Sequence, residues 1–541
     1  MHADIVFTNG EVITVDKDSS IMEAVAIKDQ KIISVGQIDE VSKLIGENTK
    51  VLDLEGKSLL PGFIDPHLHL TIYGTNLLGI NCASPEIDSL EKLYEQMKKR
   101  AEQTPKGGWI RVTGFNEQAL KEKRFPTIQE LDAISTEHPI VMIRVCNHTS
   151  IANSKALELA GFTKESENPA GGEIERDSSG ELTGKMIENA HMQLFSIADY
   201  SAEEITKGLK LASQVFVKSG ITSLHDAGSY GWGPDILKLM KKSIDSGDVK
   251  NRVYALIGSL TDSESFVRHM MDEGVVTGEG DEWFKIGPAK LFTDGSSTGP
   301  TLATREPYES DPTDRGILYY DQDRMNEILG EAHSKGYQIT AHAQGDRAIE
   351  MVLNCIEEAL KKHPRTDHRH RIEHAGIASP DLQERMKELG VVVIPNPAFM
   401  YVNGDAYLEY YGDRVNVMYP AKDYLAKGIP FAFASDTPVV DPNPLLGIHA
   451  AVNRKTVTGQ DAGTCQRVSV LEAIKAYTFM GAYASFDETQ KGSIEVGKLA
   501  DLVVLDQSIL SAEITNLKEI TVEMTMIDGK IEYEKQVSYQ K

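Results

Sequence analysis

The sequence has no long hydrophobic run, and no stretch reaches the ~20 apolar residues that a membrane-spanning helix needs. Its first residues, Met1–Val6, show neither the basic nor the apolar segment of a secretory signal peptide. Cysteine is scarce, and its 4 positions follow no CxxC spacing: Cys82, Cys146, Cys355 and Cys465. A disulfide framework is therefore not expected. Together these absences predict a cytoplasmic protein without a membrane partner.

Positive charge is also in deficit. Lysine and arginine together number 56 against 81 aspartates and glutamates, which gives a formal net charge of −25. Nucleic acid and anionic membrane surfaces would be repelled, so neither is expected as a partner. A well-solvated surface is the simpler explanation of the acidity. At 541 residues the chain exceeds one ordinary core, so at least two structural units are expected.

Both ends of the chain show strand-like runs separated by turn signals. Asn9-Gly10 lies between the runs Asp4–Thr8 and Glu11–Val15, and this pattern predicts a β-hairpin. Near the other end, Asp528-Gly529 follows Val522–Ile527 and predicts a second hairpin. We therefore expect one small sheet domain built from both termini, residues 1–57 and 490–541.

The middle of the chain alternates strand-like and helix-like segments, which predicts a parallel sheet. Eight candidate strands are Leu59–Ile64, Ile221–His225, Val253–Ile257, Ala289–Thr293, Ile339–Ala343, His370–His374, Val391–Pro395 and Phe431–Ser435. Eight is the number that a closed (β/α)₈ barrel requires, and residues 58–489 would form it. The gap from His69 to Ile221 is too long for one crossover. Residues 71–205 are therefore predicted to form an insertion that acts as a lid or substrate wall.

Polar signatures follow several of these apolar runs. Those that carry ligand-type side chains contain His67 and His69, His342, His374, and Asp436. The carboxyl ends of parallel strands meet at one end of a barrel, so these side chains would converge there. A His-x-His pair on a strand also places both rings on one face. The pattern predicts a metal site, although each residue alone has a simpler explanation as a surface histidine, a core histidine or a turn-capping aspartate.

Lys290 lies inside the apolar segment that precedes Asp294. Burial of an ammonium group is costly unless it is paired or neutralised. The side chain could extend to the surface, pair with Asp294, or react with CO₂ to form a carbamate that bridges two divalent ions. Spacing alone does not choose among these.

Longer motifs resemble a known family. Leu60–His69 resembles the opening signature of the amidohydrolase superfamily, and Gly492–Leu505 resembles its closing signature. Between them, Lys290–Ser296, Arg371–Ala375 and Ala434–Asp436 are similar to the YtcJ-like branch, which includes N-substituted formamide deformylase. The resemblance covers nearly the whole chain.

This resemblance implies an α/β fold: a TIM-type (β/α)₈ barrel with a small β-sandwich and an insertion after the first barrel strand. It also implies one or two divalent metals, with Zn²⁺ the expected ion. By matching motif, the histidine ligands would be His67, His69, His342 and His374. Lys290 would be the carboxylated bridge, and Asp436 the last ligand and the proton shuttle.

The expected reaction is hydrolysis of a non-peptide C–N bond, of the amide or formamide type, in a small-molecule substrate. Metal-activated hydroxide would attack the carbonyl, and Asp436 would pass the proton to the leaving amine. His148, Glu188 and His225 would line the pocket, or serve as structural hydrogen-bonding residues. Alternatives are an ester, lactone or phosphoester hydrolase on the same site, and a metal-free regulatory scaffold. Family analogy suggests a homodimer.

Overall fold

The computed structural model of the chain describes residues 2–82, 86–144, 149–169, 172–231 and 233–536. The strands of these residues are β1 (Ile5–Thr8), β2 (Glu11–Ile13), β3 (Ile21–Met22), β4 (Ala24–Lys28), β5 (Lys31–Gly36), β6 (Lys50–Asp53), β7 (Ser58–Pro61), β8 (Phe63–Leu68), β9 (Ile80–Asn81), β10 (Ile110–Phe115), β11 (Ile140–Arg144), β12 (Thr149–Ala152), β13 (Gly172–Arg176), β14 (Leu182–Glu188), β15 (Ile221–Asp226), β16 (Arg252–Ile257), β17 (Phe284–Phe292), β18 (Ile339–Ala343), β19 (Arg371–His374), β20 (Val392–Ile394), β21 (Leu502–Leu505), β22 (Val522–Ile527) and β23 (Lys530–Glu534). The α-helices are α1 (Ile38–Val41), α2 (Leu70–Leu78), α3 (Leu90–Gln103), α4 (Ile128–Asp132), α5 (Ser154–Leu159), α6 (Asn189–Ile197), α7 (Ala202–Lys218), α8 (Asp235–Asp245), α9 (Ser263–Asp272), α10 (Gln322–Ser334), α11 (Asp346–Lys362), α12 (Pro380–Leu389), α13 (Pro397–Val402), α14 (Gly404–Tyr411), α15 (Ala421–Lys427), α16 (Pro444–Asn453), α17 (Val470–Ala476) and α18 (Phe479–Ala484).

The central sheet has seven parallel strands in the order β20-β19-β18-β17-β16-β15-β8. It curls into a nearly closed barrel. The segment that starts at Phe431 forms a parallel bridge with Val393 of β20. At the other side of this segment, the backbone N–H of Asp436 donates to the carbonyl of His67 at 2.8 Å. The predicted eighth strand is thus an irregular segment that links β20 to β8.

The predicted barrel strand Leu59–Ile64 is two strands, which corrects the prediction. β7 pairs with β2 and β21 in a terminal sheet, whereas β8 pairs with β15 in the barrel. Gly62 lies between them, and a Cβ atom there would lie 2.3 Å from Cγ2 of Thr222. The run is apolar on both sides of Gly62, so hydrophobicity alone does not show where the pairing partner changes.

The two ends of the chain form two sheets, with strand orders β5-β4-β1-β6 and β23-β22-β21-β7-β2-β3. The Asp528-Gly529 hairpin is confirmed, since Ile527 pairs with Lys530 across it. The Asn9-Gly10 hairpin prediction is wrong. The chain turns there, but β1 and β2 enter different sheets. Turn chemistry acts locally and does not determine whether the flanking strands pair with each other. One buried cluster draws side chains from both sheets.

Two compact units make up the chain, residues 1–70 with 213–541, and residues 71–212. The smaller unit contains a six-stranded mixed sheet in the order β13-β14-β12-β11-β10-β9. Buried apolar clusters on β10, β11 and the adjoining helices form its core. In the part of the chain that the structure describes, no helix has both the length and the hydropathy to cross a bilayer.

Candidate metal centre

Three ligand-type side chains meet at the carboxyl end of the barrel. His67 is on β8, His69 follows it directly, and Asp436 ends the segment that closes the barrel. Asp436 Oδ1 lies 3.4 Å from His67 Nε2 and 3.3 Å from His69 Nε2. All three donor atoms lie within 4.8 Å of one another. Zinc bonds to nitrogen and oxygen are ~2.0–2.2 Å long, so donors this close together can share one cation.

Two further histidines extend this group. The ring centroid of His374, at the end of β19, lies 4.6 Å from that of His67. It lies 4.7 Å from the ring centroid of His342, on β18. The structure therefore brings together all four histidines that the sequence predicted as ligands.

Backbone carbonyls define which ring nitrogen of two of these histidines carries the proton. His69 Nδ1 lies 2.7 Å from the carbonyl oxygen of Gly228, and His342 Nε2 lies 3.0 Å from that of Gly295. A carbonyl oxygen only accepts hydrogen bonds, so each of these nitrogens must be an N–H donor. In a neutral ring, the second nitrogen is then the one that can coordinate metal: Nε2 in His69 and Nδ1 in His342.

In the other two histidines, a side-chain acceptor shows which ring nitrogen carries the proton. His67 Nδ1 donates to Glu373 Oε2 at 2.5 Å, and His374 Nδ1 donates to Asn396 Oδ1 at 2.6 Å. The Asn396 amide is oriented by its Nδ2, which donates to the carbonyl of Ala434 at 3.2 Å. Both histidines therefore present Nε2. A metal-ligating histidine usually donates its second ring N–H to such an acceptor.

The protonation states also favour metal binding. Burial lowers the pKa of His342 to about 4 and lowers the pKa of His374 well below its ordinary value. Both rings are therefore neutral near neutral pH. Burial alone would raise the pKa of Asp436, but the neighbouring imidazoles of His374, His67 and His69 hold it well below the ordinary value. Asp436 is thus a carboxylate, the form that binds a cation.

Lys290 lies beside this group and has no solvent exposure. Its Nζ donates to the carbonyl of Ala227 at 2.9 Å and lies 3.3 Å from His67 Nε2. Burial lowers its pKa to about 8. Within the described residues no carboxylate forms a salt bridge with this amine, and Asp294 instead accepts three backbone N–H bonds. The side chain therefore neither reaches the surface nor pairs with Asp294.

The three predicted pocket residues have different outcomes. His148 lies outside the described residues. Glu188 ends β14 in the smaller unit, where it is exposed and has a φ of 51°. His225 on β15 is buried, and its Nδ1 accepts from Arg371 Nη1 at 2.9 Å. His225 thus contacts a buried arginine, Arg371, to which the sequence assigned no role.

Backbone conformation sets two candidate ligands apart. His374 has a φ of 72° and Asp436 has a φ of 60°, in the left-handed region that favours glycine. Side chains with a Cβ atom are strained there, and such strain concentrates at functional sites. Composition and spacing give no signal for this feature.

The donor set fits a divalent cation of the zinc type, because it combines neutral imidazole nitrogens with carboxylate oxygen. The active site of a parallel α/β barrel lies at the carboxyl ends of its strands, and a cation held there can activate water for hydrolysis. The fold and the site are therefore typical of metal-dependent hydrolases. Residues 50–533 match the model of the Amidohydrolase family, and the chain belongs to this family. The family resemblance noted in the sequence is thereby confirmed.

Individual proteins of similar sequence and structure are consistent with membership of this family. An N-substituted formamide deformylase of Arthrobacter pascens is 29% identical, with 98% of both chains covered. The putative amidohydrolase YtcJ of Bacillus subtilis (strain 168) is 30% identical over 98% of this chain and 99% of its own length. An uncharacterized metal-dependent hydrolase from Pyrococcus horikoshii superposes with a TM-score of 0.78 at 26% identity, covering 94% of this chain and 99% of that one.

Proposed function

We propose that this chain is a metal-dependent hydrolase that cleaves an amide or formamide C–N bond, other than a peptide bond, in a small molecule. The observation that carries the proposal is the convergence of His67, His69 and Asp436 within 4.8 Å. The similarity to an N-substituted formamide deformylase supports the choice of bond. Zn²⁺ is the expected ion. We further propose that the two terminal sheets form the β-sandwich domain of the family.

The side chains divide the work of this reaction. His67, His69, His342 and His374 would hold the cation through the nitrogens that their hydrogen bonds leave unprotonated. When bound, the cation lowers the pKa of a water to about 7 and polarises the substrate carbonyl. Asp436 Oδ1 accepts the proton of the attacking water and delivers it to the nitrogen of the leaving amine. Burial of these groups excludes bulk water and strengthens their electrostatic interactions.

Lys290 supplies an anionic oxygen ligand in this proposal. Its lowered pKa increases the fraction of neutral amine, and only the neutral amine reacts with CO₂. The nitrogen lone pair forms a bond to the carbon of CO₂, and one amine proton leaves to solvent. The product is a carbamate, so a buried cation becomes an anion beside His67.

A substrate panel on three variants tests the proposal. His67→Ala and Asp436→Asn are each expected to lower turnover of N-substituted formamides by about 10²–10⁴-fold, because each removes a group that takes part in proton transfer or ion binding. His449→Ala removes a buried histidine on α16 and serves as the control, with activity retained. Unchanged turnover in His67→Ala, or a consistent preference of the wild type for matched esters, would contradict the proposed function.

A further inference from the structure

The imidazole of His67 is hydrogen-bonded to a fully buried carboxylate, that of Glu373. Glu373 Oε2 accepts from His67 Nδ1 at 2.5 Å, and Oε1 accepts from Thr340 Oγ1 at 2.6 Å. A buried carboxylate is costly unless a counter-charge and hydrogen bonds compensate for its lost hydration. The orientation of the His67 ring therefore depends on whatever holds Glu373 in place.

Arg371 holds it, through two parallel hydrogen bonds. Its Nε donates to Glu373 Oε1 at 2.8 Å, and its Nη2 donates to Oε2 at 2.9 Å. Arg371 has no solvent exposure. A planar guanidinium that binds both carboxylate oxygens fixes the carboxylate plane as well as its position. Lysine cannot reproduce this geometry, because its ammonium acts as a single point charge.

The same guanidinium also contacts the backbone next to His67. Nη2 donates to the carbonyl of Pro66 at 2.6 Å, and Nη1 donates to His225 Nδ1 at 2.9 Å. Arg371 is on β19, Pro66 on β8 and His225 on β15, and β19 is not a neighbour of either strand in the sheet. These bonds therefore cross the interior of the barrel beneath the candidate metal centre.

We propose that Arg371 is a positioning residue of the metal centre: through Glu373 and the carbonyl of Pro66, it holds the His67 ring so that Nε2 faces the cation. This inference rests on the proposed function, since it assumes that a cation binds there. His225 Nδ1 accepts a hydrogen bond from the remaining nitrogen of the guanidinium, Nη1. Within the described residues the other nitrogen of His225, Nε2, has no hydrogen-bond partner. His225 thus supports Arg371 from inside the barrel.

The test is the affinity of purified metal-free protein for Zn²⁺ alone, measured by competition with a chromophoric chelator. Arg371→Lys keeps the positive charge but loses the pair of parallel hydrogen bonds to the two carboxylate oxygens of Glu373. The expected result is a loss of Zn²⁺ affinity of about 10–100-fold, the usual effect of removing a group that orients a metal ligand. This readout is independent of hydrolysis.

Arg252→Lys is a matched control. Arg252 is also buried and also binds a carboxylate at two points, with Nε and Nη2 donating to Asp501 at 2.8 and 3.2 Å. It links β16 to the terminal sheet through Asp501 and Asp528. Arg252→Lys should bind Zn²⁺ as the wild type does, whatever its loss in thermal midpoint. Equal Zn²⁺ affinities of Arg371→Lys and the wild type would overturn the inference.

A second variant covers the case in which Arg371→Lys does not fold. Arg371→Met combined with Glu373→Gln removes both charges together, so no buried charge is left unpaired. The double variant should fold, and its loss of Zn²⁺ affinity should equal or exceed the loss expected for Arg371→Lys. Wild-type affinity in the double variant would also overturn the inference. Absence of Zn²⁺ binding by the wild type would instead contradict the proposed function.

Discussion

Burial changes the chemistry of Lys290. A lysine on the surface is protonated at neutral pH and unreactive toward CO₂, whereas the pKa of this one is lowered to about 8. The sequence placed it inside an apolar segment but left three interpretations open. Full burial and the contact of Nζ with the Ala227 carbonyl exclude two of these, surface exposure and pairing with Asp294, and the carbamate is the one that we propose.

Carbamate formation at Lys290 is directly testable. Wild-type protein in labelled bicarbonate should show one carbamate carbon signal by NMR, and Lys290→Gln should lack it. Replacing a residue that only orients a metal ligand costs up to about 100-fold in activity. Lys290→Gln removes an anionic ligand itself, so it should lower hydrolysis by at least about 100-fold.

Lys491→Gln is the control for this experiment. Lys491 is also buried, and burial lowers its pKa too, but its Nζ lies 3.5 Å from Asp487 Oδ2. The carbamate signal should persist in this variant. A signal that survives in Lys290→Gln, or that is missing from the wild type, would exclude the carbamate.

Individual side chains also differ in whether the sequence could predict their contacts. The sequence predicted that five side chains would meet at one end of the barrel, because each follows or ends an apolar run and carries a ligand-type group: His67, His69, His342, His374 and Asp436. It did not predict the contacts of Arg371 and Glu373, although both stand in a motif that the sequence singled out. Their contacts cross the barrel to β8 and β15, and sequence patterns report local periodicity rather than such distant pairs.

At the scale of strands, the division between β7 and β8 determines how the terminal sheet connects to the barrel. The sequence predicted most barrel strands because their apolar runs are short and bounded by turn residues. It could not divide Leu59–Ile64, nor separate the strands on either side of Asn9-Gly10. In both places the pairing partner lies far away in the sequence.

Gly62 is the residue on which this division depends. Gly62→Ala would place a Cβ atom 2.3 Å from Thr222 Cγ2, so the free energy of unfolding should fall by about 1–3 kcal/mol through overpacking. Chemical denaturation measures this change. Adding Thr222→Gly should recover part of the loss, so the double variant should be less destabilised than the sum of the single variants.

Gly330→Ala provides the comparison. Gly330 lies in α10, and a Cβ atom added there would meet none of the described residues within 4 Å beyond its own helix. Alanine is more favourable than glycine inside a helix by about 0.5–1 kcal/mol. This variant should therefore be neutral or stabilised. Additive effects of Gly62→Ala and Thr222→Gly would show that the close approach of the two strands is not the cause of the loss.

Buried neutral histidines make the stability of the folded chain depend on pH. His370 Nδ1 accepts from the backbone N–H of Ile339 at 3.1 Å, and its Nε2 then donates to His333 Nδ1 at 2.9 Å. His333 Nε2 donates to the carbonyl of His363 at 2.7 Å. Burial lowers the pKa of His333 and lowers that of His370 well below its ordinary value. This chain of bonds requires neutral rings.

The sign of the effect follows from proton binding. In the unfolded chain these histidines titrate near pH 6.5, whereas in the folded chain they titrate lower, so the unfolded state binds more protons below about pH 6.5. Stability should therefore fall as the pH is lowered from about 6.5, by up to about 1.4 kcal/mol per pH unit for each such histidine.

Denaturant unfolding across this pH range, in wild type and in His370→Gln, measures the contribution of one ring. Glutamine keeps a donor group but does not titrate. The slope of the unfolding free energy against pH should therefore decrease by the contribution of about one proton, which is about 1.4 kcal/mol per pH unit at most. Histidines of the metal centre contribute equally to both proteins and cancel in the comparison. An unchanged slope would mean that His370 is not held neutral.

The hydrogen bond from the Asp436 backbone to His67 also has a consequence for biosynthesis. It joins the first and last segments of the barrel, and with them the first and last candidate metal ligands. During translation, His67 leaves the ribosome long before Asp436 is made, so a nascent chain holds an incomplete ligand set until then. Stable loading with the cation must therefore wait until the segment that carries Asp436 has emerged.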